Sequence, residues 1–251
     1  MSYSIPAPVR RRYYLIFDTE TTGLLPKKTR GRDQTSSPPI DAYPHILQLS
    51  YVVYDMYDRR IIKSYDSYVN VADNVEISEF VQELTGITRE LCNMRGRNIM
   101  EVLESFYSAY VMCEGLVAHN MEFDEKMIMI EIERNRTSIL EKSPHCFMLF
   151  HTMYETVHNI ERYCTMRKGT ALCNILFEPA EVMNDTVDLN VDAMPASRRK
   201  KFPKLAELYS KLFDGQVPDG LHNSMVDVLA CLRCYLKMRH NMDVGPMAVI
   251  A

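Results

Sequence analysis

A chain of 251 residues, 47% apolar and 25% charged, has the make-up of a globular protein with a sizeable core, which excludes a disordered, collagen-like or coiled-coil chain. Its 33 acidic and 29 basic residues leave a net charge of −4, unlike a protein that grips nucleic acid through a broad basic face. No apolar run approaches the roughly 20 residues that span a bilayer and no secretory leader is read at the start, so an intracellular protein, cytoplasmic or nuclear, is expected.

Residues 1–12, with two prolines and the run Arg10-Arg11-Arg12, are expected to form a flexible arm. Tyr13-Tyr14-Leu15-Ile16-Phe17 is a short run of β-formers and reads as a buried strand. It leads into Asp18-Thr19-Glu20-Thr21-Thr22-Gly23-Leu24. Residues 27–44 are polar and read as a long inserted surface loop. Residues 46–55 and 60–69 predict a hairpin, and residues 77–84 a short helix that stops near Gly86. Ile99, Val102, Leu103, Phe106 and Tyr110 recur at helical spacing, so 99–112 is a helix. Gly115-Leu116-Val117-Ala118 is a short buried strand, followed by a helix over 123–134. Residues 137–201 read as a larger insertion, with helix within 144–160, a strand over 162–166, and irregular chain over 178–199. Helices over 205–213 and 224–238 close a domain spanning 13–239, and 240–251 is a tail. Antiparallel strands first, then helices alternating with short strands, predict an α/β layer fold with a mixed sheet. The seven cysteines are scattered and odd in number, and read as reduced thiols. Cys231 and Cys234 form a C-x-x-C inside a helical pattern, where packing explains them better than zinc or redox chemistry.

Three places carry acids in suggestive company. Asp18 and Glu20 stand two apart at a strand end, so their carboxylates share a face. Like charges that close are costly without a cation between them, and hard oxygen ligands suit Mg²⁺ or Mn²⁺. Asp124 sits where a helix begins, after the loop His119-Asn120-Met121-Glu122; an acid in a first turn also meets the helix dipole favourably. Asp227 follows Ser224 by three residues, which resembles a capping box, and His222 just ahead can lean over it. Each feature alone also has a purely structural reading.

Taken together and in order, residues 18–24, 117–124 and 222–227 resemble the three motifs of the DEDDh exonucleases. That superfamily includes the proofreading epsilon subunit of bacterial DNA polymerase III, RNase T, oligoribonuclease and the TREX enzymes. His45-Ile46-Leu47-Gln48-Leu49, Leu84-Thr85-Gly86-Ile87-Thr88 and Leu205-Ala206-Glu207-Leu208-Tyr209 are similar to segments between the motifs. The resemblance covers roughly 13–239, apart from 27–44 and much of 137–201. It implies an exonuclease domain of ribonuclease H-like, three-layer fold that removes nucleoside 5′-monophosphates from 3′ ends, in DNA replication or repair. By that resemblance Asp18, Glu20, Asp124 and Asp227 hold two Mg²⁺ ions, with Mn²⁺ able to substitute, and Asp18 bridges both. His222 is the general base, a role that suits an imidazole near neutral pH. Thr21, Thr22, Gly23, Leu24 and Asn120 line the terminal nucleotide, with Leu24 against its base. Bound metal offsets local acid, so a charge of −4 is compatible with a nucleic-acid substrate.

Single-stranded DNA is the leading expected substrate. RNA with the same mechanism is the alternative, and an accessory module that docks on a polymerase or another partner through 137–201 is a third reading. Dimers occur in the superfamily. Lys27, Lys28, Arg30, Arg32 and the run Arg198-Arg199-Lys200-Lys201 are candidate phosphate contacts.

Overall fold

The first predicted strand runs on past its apolar stretch, through Asp18, Thr19 and Glu20, to form β1 (Tyr13–Thr21). In the computed structural model, which describes residues 11–26, 38–176 and 200–245, β1 is the middle strand of five. Its neighbours are β2 (Ile46–Asp55) and β3 (Arg60–Tyr68) on one side, and β4 (Gly115–Ala118) and β5 (Glu161–Cys164) on the other. The order is β3-β2-β1-β4-β5. The β1–β2–β3 pairs are antiparallel and the β1–β4–β5 pairs parallel. This is the mixed sheet that the strand order predicted.

Alternation along β1 sends its side chains into two separate cores. Leu15 and Phe17 pack with Phe106 of α3 (Ile99–Tyr110) and with Met127 and Ile128 of α4 (Met121–Arg134). Tyr14 and Ile16 pack with Leu208 of α8 (Leu205–Leu212) and with Val228, Leu232 and Tyr235 of α9 (Ser224–His240). The fold is therefore the three-layer, ribonuclease H-like arrangement. Helices cover both faces of β2, so all ten of its residues are buried, including Gln48 and Ser50.

Several boundaries differ from the sequence reading. The helix predicted to stop near Gly86 does so: α1 (Glu79–Thr85) is closed by Gly86 at φ 72°, a left-handed conformation that glycine adopts at no cost. A further helix, α2 (Arg89–Arg95), was not predicted. Its start is marked by Thr88, whose side chain accepts from the Leu91 N–H at 3.2 Å, a cap that the reading took only as part of a turn. Helix α4 begins at Met121, two residues earlier than expected.

The described part of 137–201 contains α5 (Arg136–Lys142), a 3-10 turn (Pro144–Met148), α6 (Thr152–Val157), strand β5 and α7 (Thr165–Cys173). The strand predicted over 162–166 ends at Cys164, where Thr165 turns the chain into α7.

Arg11 and Arg12, placed by sequence in a flexible arm, are tied to the sheet: Arg11 to the Asn159 carbonyl and Glu161, and Arg12 to Asp55 at 2.7 Å. Residues 1–10, most of the polar loop (27–37), the irregular chain up to 199, and the tail from 246 lie outside the described residues. So do Lys27, Lys28, Arg30, Arg32, Arg198 and Arg199. All seven cysteines are free thiols, with Cys231 and Cys234 buried in α9. Among the described residues, no helix is long and apolar enough to cross a membrane.

Candidate functional site

Strand β4 is short, and its last pairing with β1 is Ile16 with Val117. Beyond that point β1 has no strand partner on this side, and its backbone must bond elsewhere. The Thr19 N–H donates to Asp124 Oδ1 at 3.1 Å, and the Thr19 hydroxyl donates to the same oxygen at 2.8 Å. The premature end of β4 thus creates the seat for the first-turn acid of α4. Asp124 is 2% exposed.

The opposite layer supplies Asp227. The Ser224 hydroxyl donates to the Asp18 carbonyl at 2.7 Å, and the Ser224 N–H donates to Gln48 Oε1 at 3.2 Å. The Gln48 amide in turn donates to Asp66 at 2.8 Å. This polar clamp, buried at Gln48 and Ser224, pins the start of α9 to β1 and β2. The capping-box reading of Ser224 is corrected: the cap of α9 is Asn223, whose side chain accepts from the N–H groups of Met225 and Val226. Ser224 is drawn inward to satisfy β1 and β2, which moves the cap one residue earlier. Asp227 accepts from the His222 N–H at 3.1 Å.

The structure therefore brings the predicted acids to one place. Donor atoms of Glu20, His222 and Asp227 lie within 4.8 Å of one another. Asp18 feels the negative charges of Asp124, Asp227 and Glu20. Burial is the largest cause of its carboxyl being pushed far above the usual range, and those three acids add to it. Burial raises Glu20 to about 8, with Asp227 and Asp124 contributing. Burial also raises Asp124 to about 8, against the opposing bonds from Thr19. Asp227 is raised to about 7 by burial, against the His222 N–H. Among the described residues, no basic side chain is found among the groups that offset these charges. A buried acid cluster without its own cation, built of hard oxygen donors, fits divalent Mg²⁺ or Mn²⁺.

Two turns at the site hold non-glycine residues in the left-handed region, Asn120 at φ 66° and His222 at φ 70°. Such conformations persist where surrounding structure over-determines them. Of the expected substrate-contact residues, Thr22, Gly23 and Leu24 line a cleft of about 450 Å³ together with Tyr43, His45 and Val75. Leu24 is 86% exposed, an apolar side chain held out in the open. The Thr21 hydroxyl closes the turn by donating to the Gly23 carbonyl at 2.7 Å. Thr22 and His45 exchange two bonds, of 2.9 and 3.0 Å. Asn120 stands apart from this cleft, at the start of α4.

Sequence reasoning missed the supports. Thr19, Gln48 and Ser224 were passed over as ordinary strand and cap residues. His119 was also unassigned. Its Nε2 donates to the Pro203 carbonyl at 3.0 Å, so Nδ1 faces the Thr165 hydroxyl, 2.9 Å away, as an acceptor. Burial lowers its pKa to about 4, so it is a neutral strut between the turn before α4 and the segment before α8. A polar residue inside an otherwise apolar strand, as at Thr19 and Gln48, was the available signal.

Comparison with known proteins adds to this geometry. The sequence model of a family described as Exonuclease, of RNase T type, matches residues 15–179. No curated protein matches the chain. Among solved structures, E. coli exonuclease I in complex with a dT13 oligonucleotide is 18% identical, with a TM-score of 0.56. The match covers 92% of this chain but 42% of that one, so this chain spans well under half of that enzyme. The zinc-bound form of the same E. coli enzyme with single-stranded DNA is 16% identical, at a TM-score of 0.55, over 92% of this chain and 41% of that one. The nuclease domain of 3′hExo, a DEDDh family member bound to rAMP, is 16% identical at a TM-score of 0.53, over 94% of this chain and 95% of that domain. At such identities the likeness is one of fold.

Proposed function

The chain belongs to the RNase T family of exonucleases, and from that premise we propose that it is a metal-dependent 3′→5′ exonuclease of DEDDh type acting on single-stranded DNA ends. The observation that carries this reading is the buried cluster of Asp18, Glu20, Asp124 and Asp227, with a His222 nitrogen within 4.8 Å of the Glu20 and Asp227 oxygens. The dT13 complex of E. coli exonuclease I supports a DNA strand, and the rAMP complex of 3′hExo keeps RNA as the second reading.

In this mechanism the four carboxylates would hold two divalent cations, which when bound would neutralise charge on the phosphate and acidify a water. His222 takes the proton from that water as general base. The water oxygen bonds to phosphorus, the bond from phosphorus to the 3′ oxygen of the penultimate nucleotide breaks, that oxygen takes up a proton from solvent, and a nucleoside 5′-monophosphate leaves. Leu24 offers an apolar surface to the terminal base without reading its edge, so cleavage is largely independent of sequence. Thr21, Thr22 and Gly23 hold Leu24 in place, and Asn120 borders the site from α4.

The test uses two 5′-labelled single strands of equal sequence, one DNA and one RNA, with Mg²⁺, Mn²⁺ or chelator. A ladder shortening from the 3′ end in metal alone is expected, faster on DNA. No shortening of either strand in any metal would sink the proposal, and faster loss of RNA would move it to the second reading.

Thr19→Val tests the support of Asp124. Valine keeps the shape and β-propensity but removes the hydroxyl, leaving Asp124 only backbone donors. Loss of such an outer contact is expected to lower the rate roughly 10- to 100-fold and to raise the Mn²⁺ concentration needed for half the maximal rate. An unchanged Mn²⁺ titration would show that the hydroxyl serves only the fold.

A further inference from the structure

A second groove, of about 560 Å³, lies on the β5 edge of the sheet, between α4 and the chain of β5 and α7. Met121, Glu122 and Glu125 of α4 form one wall, and Arg162, Arg167 and Lys168 the other. Its near end is the first turn of α4, two residues from Asp124. The three cations differ in what they are free to do. Arg162 is committed to Glu125 and Glu155. Arg167 pairs with Glu122 in a contact whose side chains are 57% and 76% exposed, a pairing that water and salt hold weakly. Lys168 is exposed and has no acidic partner among the described residues.

An aromatic residue joins them. The Arg167 guanidinium lies 5.7 Å from the centre of the Phe202 ring, and Phe202 is 44% exposed. Phe202 belongs to Lys200-Lys201-Phe202-Pro203-Lys204, in which Lys200 and Lys204 are also exposed. This segment is fixed at two points. The Lys201 N–H donates to the Ile175 carbonyl at 2.8 Å, and the Pro203 carbonyl takes the His119 bond. His119 immediately precedes Asn120, so the basic, aromatic segment is rigidly referenced to the turn that enters the acid cluster.

We propose that the groove between α4 and α7 carries the single-stranded nucleic acid lying 5′ of the scissile phosphate, with Arg167 and Lys168 on backbone phosphates and Phe202 stacked on a base. Alternating cations and an exposed ring are what an unpaired strand requires, since phosphates take the charge and any base offers a π-face. A paired strand has its bases turned inward and cannot use Phe202. Glu122 holds Arg167 extended until a phosphate replaces it. Local cations at one edge thus serve a chain whose net charge is −4. The direction of the strand rests on the exonuclease reading; the occupancy of the groove does not.

The test compares wild type with Arg167→Ala/Lys168→Ala, Phe202→Ala and Phe202→Tyr. Binding of a short 5′-fluorescein single strand is read by anisotropy in chelator across a salt series. Hydrolysis of the strand and of thymidine 5′-p-nitrophenyl phosphate, which is too short to reach from the acid cluster into the groove, is read in Mn²⁺. The double variant is expected to bind at least about 10-fold more weakly, with the slope of log affinity against log salt reduced by about 1.4, two phosphate contacts on a single strand. Phe202→Ala is expected to weaken binding about 5-fold or more, and Phe202→Tyr to restore it. In hydrolysis the loss should appear in KM for the strand and exceed the loss on the small ester by about 10-fold. Equal binding by wild type and the double variant, or a duplex bound as tightly as the single strand, overturns the groove. If wild type binds and the variants do not, yet no protein hydrolyses either substrate, the exonuclease reading falls and the groove stands.

Discussion

Replacing Asp18 by asparagine is expected to remove hydrolysis, by roughly 10³-fold or more, while making the metal-free protein harder to melt. Asp18 is the carboxylate most burdened by its neighbours, since Asp124, Asp227 and Glu20 all raise its pKa on top of burial. An amide of the same shape removes the cost of keeping a carboxyl protonated in the folded protein that ionises freely in the unfolded chain, and leaves untouched the bond from Ser224 to the Asp18 carbonyl. Outer supports of a metal site cost 10- to 100-fold when removed, and a direct ligand should cost more. A purely structural acid would behave oppositely, losing stability and sparing the rate. The pair of measurements is therefore the initial rate in Mn²⁺ and the melting temperature in chelator. A fall in both would remove Asp18 from the metal centre.

The second large effect concerns pH. In chelator, stability is expected to fall as pH rises from about 6.5 to about 8. Folded Glu20 and Asp124 titrate near 8 and Asp227 near 7, against ordinary values of 4.5, 3.8 and 3.8. Across the interval between those values the folded protein keeps protons that the unfolded chain has lost, so each rise in pH favours unfolding. His45 and His119 act with the other sign. Burial lowers each from 6.5 to about 4, so their stabilisation is present above 6.5 and is lost as pH falls towards 4. The two effects oppose each other below 6.5, and only the carboxylates act above it. Divalent metal replaces the bound protons, so its stabilisation should be largest near pH 8, a gain of about 5 °C or more in melting temperature. A melting temperature in chelator that stays flat between pH 6.5 and 8, with no gain on adding Mn²⁺ at pH 8, would show that the four acids do not form a metal centre.

Both expected effects depend on contacts between residues far apart in the chain. Asp124 meets Thr19 across 105 residues, and Ser224 meets Asp18 across 206. Nothing in local spacing announces either contact. The same is true of His119 with Pro203, 84 residues on, a bond that ties the basic segment to the site.

What was legible had a local physical signature. A short run of β-formers made β1 readable and two strand-length segments with a short link made β2 and β3 readable, while helical spacing made α3 and α9 readable, because side-chain periodicity in a helix follows directly from backbone geometry. The two carboxylates on one strand face needed only the two-residue repeat. The start of α2 was marked by Thr88 but had no apolar stripe behind it, and α7 began inside a segment whose first residues look like strand. Short elements of this kind carry too few residues for period to decide, and packing decides instead.

Local patterning therefore carries the layer fold, the sheet that bears Asp18 and Glu20, and the identities and order of the candidate acids and histidine. Tertiary structure alone decided how they meet. The early end of β4 frees the Thr19 N–H for Asp124, and the inward turn of Ser224 moves the cap of α9 to Asn223 and sets Asp227 facing Glu20. Periodicity along a chain records which face each residue takes, whereas the partner on that face is chosen by burial and by the demand that every buried polar group be bonded.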